Sequence, residues 1–300
     1  MDDNNINNIQ KQGEVPIIII ERDNETSAAS AKQKTSRSKG VIITLVIACI
    51  LIASVAIPYG YRRWSYYHHP GVSISVTPKE NIAKLKASSI NEVPEVVMTS
   101  DSILGVALDF YSLHGLSGSI EFEEPDTADK SIYLYCRSAD FTAEGRYLGT
   151  LVSKGQVFSS DNERLGYMAM ANGNNVIGIS RSEDVMEYVQ EQQGSFFRQF
   201  VLVSNGELPP RFQLHGKVER CAIGRISDRL YYITSRNKET LWSFADALRE
   251  YGFTDAIYIT GGYDYSYYRD RAGERHDIHD PMRYPHTKWK DIIPWLVFRK

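Results

Sequence analysis

The stretch DAIYITGGYDYSYYRD, Asp255–Asp270, contains an apolar run from Ala256 to Thr260 that halts at two adjacent glycines. Apolar side chains at successive positions suit a strand covered on both faces, so the run reads as an inner strand of a layered sheet. After Gly261 and Gly262 come Tyr263, Asp264, Tyr265, Tyr267 and Tyr268. Two readings fit. Glycine lacks a Cβ and lets a ligand approach the main chain, so the pair would open the mouth of a cleft lined by the Tyr-Asp stretch. Alternatively the glycines form only a turn, and the tyrosines pack on the sheet.

Just upstream, TLWSFADALREYG places Leu241, Phe244, Ala245, Leu248 and Tyr251 on one helical face, with Gly252 as the stop residue. Before it, RCAIGRISDRLYYITS predicts two strands about a Ser227–Asp228 turn. Downstream, DIIPWLVF closes the chain as an edge or last strand, because Pro294 cannot donate to a ladder. Period-two alternation predicts further strands at GVSISV (from Gly71), GSIEFEE, KSIYLYCRSADF, YMAMAN, NVIGIS and QFVLVSNG, with a hairpin at Lys154–Gly155. Helical stretches are predicted at KENIAKLKASS, DSILGVALDFYSLHG and SEDVMEYVQEQQGSFF. Many strands and few helices, without strict βαβ alternation, indicate α+β with a mixed sheet and packed helices.

VIITLVIACILIASVAIP, Val41–Pro58, carries no charge and would make about 26 Å of helix through Ile57, enough to cross a bilayer core. Lys32, Lys34, Arg37 and Lys39 precede it and only Arg62 and Arg63 follow, which keeps the N-terminus in the cytoplasm and exports the rest. A cleaved signal would have its charges nearer the N-terminus. A lipidated Cys49 would lead into a polar tether rather than more apolar residues. A buried core helix would show a polar face. The expected organisation is a disordered cytoplasmic tail (1–40), a single transmembrane helix (41–58), a linker (59–70) and an extracytoplasmic domain (71–300).

The net charge of −3 gives no electrostatic argument for nucleic acid as a partner. Tyrosine is abundant, at 19 residues, and its flat face with a polar tip suits sugar rings and interfaces as well as cores. No Gly-x-Ser-x-Gly elbow, Walker loop or dinucleotide fingerprint occurs, so acyl transfer, nucleotide hydrolysis and hydride transfer lack their usual markers. HDIH, His276–His279, has metal-like spacing but no evident third ligand, and neither metal nor cofactor is expected. Cys136 and Cys221 fall in the exported part, where an oxidising compartment permits a disulfide that sequence alone cannot pair.

The order of features from about residue 115 to 300 resembles the phosphodiester glycosidase family. RSADF (Arg137–Phe141) stands where that family has an Asn-Gly-Gly-Phe-Phe-like strand end, and Gly149 and Gly155 match its glycine turns. LVSNG matches its strand ending in Asn-Gly, RCAIG its Arg-Thr-Ala-Ile-Gly stretch, and ITSR, with Arg236, its Asp-Gly-Arg strand end. YITGGYD answers its Asn-Leu-Asp-Gly-Gly-Gly-Ser strand, but with Tyr258 and Thr260 in place of Asn and Asp. The resemblance implies hydrolysis of a glycosyl phosphodiester of a surface or envelope glycan by a membrane-held domain.

Such chemistry needs an acid and base, or a carboxylate pair, at the anomeric carbon, with donors for the phosphate. Asp140 and Asp264 are the catalytic candidates. Arg220 and Arg236 would fork the phosphate, Gly261 and Gly262 would offer backbone N–H groups, Asn205 would orient a sugar hydroxyl and Tyr263 would stack on a ring. Thr260 cannot ionise as the family's aspartate would. A catalytically degenerate member that binds glycan or scaffolds the envelope is the alternative.

Overall fold

The protein is described from a computed structural model, which describes residues 28–68, 76–88, 92–139, 142, 144–161, 164–210, 216–261, 265–279 and 293–300. The chain divides into two compact units, Met1–Gly60 and Tyr61–Lys300. A long helix, α1 (Ala28–His68), includes Lys39–Tyr61, a segment long and apolar enough to cross a membrane, with none of its hydrophobic window buried. The helix continues through much of the segment expected to be a linker.

The second unit follows with α2 (Pro78–Lys86), β1 (Glu95–Ile103), β2 (Val106–His114), β3 (Ser117–Glu121), β4 (Ile132–Arg137), β5 (Leu151–Ser153) and β6 (Gln156–Ser159). Next come β7 (Gly166–Ala171), β8 (Asn174–Ile179), α3 (Asp184–Glu191), β9 (Ser195–Gln199), β10 (Val201–Ser204), β11 (Arg220–Ile226) and β12 (Arg229–Ser235). The chain ends with α4 (Leu241–Tyr251), β13 (Asp255–Gly261), β14 (Ser266–Arg269), β15 (Arg275–His279) and β16 (Trp295–Arg299). The α+β class read from the sequence holds, and every strand pairing among the described residues is antiparallel.

Three sheets surround one core. The first has the order β1-β2-β12-β11-β13-β10, the second β15-β14-β4-β16-β3 and the third β6-β5-β9-β7-β8. Leu134, Cys136, Met168, Phe197, Cys221, Ile223, Ile257, Ile259 and Leu296 meet between them. The outer face of the first sheet is covered by α4, whose Leu241, Phe244, Ala245 and Leu248 pack against Phe110, Ile233 and Tyr258. Thr240 caps α4 by accepting the Ser243 N–H at 3.0 Å, and Gly252 ends it at φ 108°, a left-handed value that favours glycine. Truncating Leu248 here would cost about 2–5 kcal/mol. The outer face of the third sheet is covered by α2 and α3. A capping box of Thr77 and Glu80 starts α2, and its buried Asn81 donates to the Tyr167 hydroxyl at 2.7 Å.

Three sequence expectations are corrected here. DSILGVALDFYSLHG forms no helix: it belongs to the β1–β2 hairpin, which turns at Leu104–Gly105 with φ of 52° and 80°. Two positive-φ residues make the tight turn that matches strand twist, and pairing of β2 with β12 overrides the helical spacing of its apolar residues. The SFF of the third predicted helix is instead the start of β9, because α3 ends at Glu191. The last strand, β16, is internal, between β4 and β3, which its proline permits by preceding the ladder. The predicted GVSISV strand lies, but for its last residue, outside the described residues, as does the tail through residue 27.

Candidate active site

Strand register gathers one end of the first sheet and one end of the second. In the first, Arg220 pairs with Gly261, and Cys221 with Thr234, which brings together the start of β11, the end of β12 and the end of β13. In the second, Trp295 pairs with Arg137, and Ser266 with His279, which aligns the end of β4, the starts of β14 and β16 and the end of β15. Four residue steps join Gly261 to Tyr265, so the two ends lie within about 14 Å along that path. The Ser138 N–H and hydroxyl both donate to the Pro294 carbonyl at 2.9 Å, fixing the end of β4 against β16. Asp140, Gly262, Tyr263 and Asp264 lie outside the described residues; the last three fall between Gly261 and Tyr265, and Asp140 directly follows Ala139.

Gly261 is explained by its own strand. A Cβ there would stand 2.5 Å from the Tyr258 hydroxyl and 2.9 Å from the Glu219 carbonyl oxygen. The register slips between Arg220 and Ala222, and this bulge sets Gly261 against the Tyr258 side chain. Thr260 is buried and carries no ionisable group. The described tyrosines pack on the sheet: Tyr265 and Tyr267 are buried with Tyr135 and Trp295, while Tyr268 stacks on His276 at 4.9 Å. Burial pushes the Tyr267 phenol up to about 12.

The two arginines do not form one fork. Arg220 is buried on the α4 side of the first sheet, beside the Tyr258 ring. Its Nε donates to the Glu239 carbonyl and an Nη to the Gly216 carbonyl, both at 3.0 Å, so its guanidinium ties loops together. Arg236 lies one step beyond β12, on the same face as Thr234 and Tyr232 and therefore on the opposite face from Arg220. Half-exposed, it reaches Asp109 at 3.4 Å and donates to the Asp101 carbonyl at 3.1 Å.

Asn205 is placed at the far end. Its N–H donates to Asp255 Oδ1 at 3.3 Å, and Asp255 begins the strand that Gly261 ends, ~20 Å away. With φ of 51° and 73°, Asn205 and Gly206 make a two-residue hairpin turn, closed by mutual bonds of 2.9 Å between Ser204 and Glu207. Asn-Gly is a strong signal for that turn, which accounts for it without a ligand.

Groups that the sequence did not assign to the active site stand on the inner walls at this end. Asp109 accepts the Ser100 hydroxyl at 2.6 Å and faces Arg236. Across from that wall, Ser266 Oγ lies 3.0 Å from His279 Nδ1. Tyr232 is completely buried on the first sheet, and burial raises its pKa well above the phenol value, with Cys221 and Cys136 adding to the rise. Cys136 and Cys221 are thus buried thiols beside one hydroxyl. Burial raises Tyr111 too, reinforced by the Asp109 charge. No local pattern brings Asp109, Ser266 and Tyr232 to one end, because β-pairing across distant segments assembles them.

The histidines of HDIH have separate partners. His276 Nε2 meets Asp270 at 2.9 Å, whereas His279 meets Ser266. The His276 hydrogen bond, then the Glu274 N–H, lowers the Asp270 pKa. Asp270, Glu274 and His276 are close enough to share a cation, but their bonds within a β-turn account for the cluster.

The profile of the phosphodiester glycosidase family matches residues 136–291, just over half of the chain. No curated protein matches it. Among solved structures, the zebrafish N-acetylglucosamine-1-phosphodiester alpha-N-acetylglucosaminidase catalytic domain, auto-inhibited by its pro-peptide, is similar at 14% identity. That match has a TM-score of 0.48 over 72% of this chain and 86% of the other. A hypothetical protein from Synechocystis is similar at 11% identity and a TM-score of 0.51. It shares the fold over 68% of this chain, which covers 62% of that protein.

Proposed function

The chain belongs to the phosphodiester glycosidase family, and from that premise we propose that it hydrolyses a glycosyl phosphodiester in a surface or envelope glycan. The observation that carries this reading is that the matched region, 136–291, contains the strand ends β4, β11, β12, β13, β14 and β15 that meet at one edge of the fold. Water attacks the anomeric carbon, the bond from that carbon to the phosphate oxygen breaks, and the electron pair leaves with the phosphate. Asp140 and Asp264 supply the carboxylates that the oxocarbenium-like transition state requires, and Arg236 meets the phosphate. The apolar helix holds the domain on the exported side of a membrane, with the N-terminus in the cytoplasm.

A glycan-binding member without activity is the second reading, favoured by Thr260, which is buried at the position of the family aspartate. The full chain in detergent, incubated with methyl-phosphate diesters of N-acetylglucosamine, glucose, galactose and N-acetylgalactosamine, separates the two. Sugar release that Asp264→Asn abolishes in folded protein, and for which Arg236→Ala raises KM, supports the hydrolase. Saturable glycan binding without release supports the binder.

A further inference from the structure

We infer that Asp109, paired with Arg236, makes the phosphate site select a singly charged phosphodiester over a doubly charged phosphomonoester. The inference rests on the glycosyl phosphodiester reading, in which Arg236 meets the phosphate. It adds the residue that sets how much charge the site accepts.

The pair is built by register. Asp109 lies on β2 opposite Ser100 of β1 and Thr234 of β12, and Arg236 follows Thr234 by two residues. Asp109, Thr234 and Arg236 thus share the inner face of the first sheet. The Asp109 carboxylate is fixed there: its Oδ1 accepts the Ser100 hydroxyl at 2.6 Å and lies 3.4 Å from Arg236 Nε. Its side chain is only 14% exposed, so solvent and salt screen its charge weakly. Arg236 is held by that Nε and by one Nη, which donates to the Asp101 carbonyl at 3.1 Å. The other Nη makes no bond among the described residues, and the side chain is 47% exposed. That end of the guanidinium is left for a phosphate oxygen. The family resemblance assigns no role to Asp109, which precedes the matched region, 136–291.

The charges decide the selection. A phosphodiester carries one negative charge, whereas a phosphomonoester carries about −1.5 to −2 at neutral pH, since its second proton leaves near pH 6. An arginine alone attracts the monoester more strongly, because Coulomb attraction grows with the charge of the ligand. Beside Arg236, the Asp109 charge cancels much of that attraction but leaves the guanidinium N–H groups able to donate to a diester oxygen. The second charge of a monoester then meets repulsion from Asp109 about as large as the attraction of Arg236. Substrate and product of the proposed hydrolysis differ by this one charge: the diester enters as a monoanion and the phosphomonoester leaves as a dianion. Asp109 therefore favours the substrate over the product and promotes release of the product.

The test uses the full chain in detergent at about pH 7.5, where methyl phosphate is mostly a dianion and dimethyl phosphate a monoanion. Both are measured as competitors of diester hydrolysis, and their binding is followed by ³¹P NMR titration, which needs no turnover. Asp109→Asn keeps the side-chain shape and an acceptor for Ser100. It should tighten methyl phosphate by about tenfold relative to dimethyl phosphate. It should also lower KM for the diester and bend progress curves as the monoester accumulates. Loss of a merely structural carboxylate would loosen Arg236 and raise KM instead. Asp109→Glu should restore the wild-type ratio. Sugar release with the ratio unchanged in Asp109→Asn, or with KM raised, overturns the inference and leaves the hydrolase reading standing. Release by a wild type that binds neither phosphate does the same. A shifted ratio without release from any diester supports charge selection and overturns the hydrolase reading alone. No release and no binding of either phosphate overturns both.

Discussion

The Tyr258 hydroxyl occupies the space that a side chain at residue 261 would need, 2.5 Å from the position of its Cβ. Gly261 therefore answers to a tyrosine three residues before it on the same strand. Gly261→Ala should destabilise the domain by about 1–3 kcal/mol, the usual cost of forcing extra carbon into a packed site. Tyr258→Phe removes the obstructing oxygen and should recover part of that loss, although the Glu219 carbonyl at 2.9 Å still resists. Urea denaturation of both single variants and the double variant measures the coupling; strict additivity would show that the contact does not explain the glycine.

The two arginines should separate by what they damage. Arg220→Met removes a buried guanidinium and its bonds to the part-buried Glu239 and Gly216 carbonyls, and should cost about 2 kcal/mol of stability. Arg236→Ala removes a half-exposed partner of Asp109 and should cost less than about 1 kcal/mol. If Arg236 meets the phosphate, its loss should instead raise KM for a sugar-1-phosphodiester. Thermal melts alongside steady-state kinetics decide it; equal effects of both variants on stability would contradict the assignment.

Much of the fold was legible because its strands alternate and α4 carries its signals in full, from Thr240 to Gly252. The β1–β2 hairpin was not. Ile103, Val106, Ala107 and Phe110 have helix-like spacing, and pairing with β1 on one side and β12 on the other makes β2 extended. The site was less legible still. Arg220 and Arg236 fall at the same sheet end, as the sequence order suggested, but the two-residue period of the strands sends them to opposite faces. Asn205 reads from the resemblance as a site residue, whereas its Asn-Gly pair forms a two-residue turn at the opposite end of β13 from Gly261. Ser266 and His279 meet through pairing of β14 with β15, with a bulge at Ile278 that no local pattern announces.

Acid should act on the fold through Asp129. Its pKa is lowered first by the Ser131 side chain, then by the Ser131 N–H at 2.8 Å, with Arg299 adding attraction. A carboxyl whose folded pKa is depressed contributes stability that is present above the unfolded value of about 3.9 and is lost as pH falls through the folded value. Melting temperatures measured from pH 5 to pH 2.5 should fall more gently in Asp129→Asn than in wild type. Parallel curves would remove Asp129 from the acid response.

The orientation of the chain can be read with cysteine reporters, because the native thiols give a low background. Cys136 and Cys221 are buried, and Cys49 lies within the apolar helix. Lys238 is exposed in the second unit, whereas Ser27 precedes the basic run of Lys32, Lys34, Arg37 and Lys39. Basic residues resist translocation, so the four on the N-terminal flank should outweigh Arg62 and Arg63 on the other. In intact cells a membrane-impermeant maleimide should label Lys238→Cys, and should label Ser27→Cys only after permeabilisation. Replacing the four N-terminal basic residues by asparagine should then scramble the orientation, making part of the Ser27→Cys population accessible from outside. Labelling of Ser27→Cys in intact cells without that change would reverse the topology, and would place the second unit in the cytoplasm, against the proposed function.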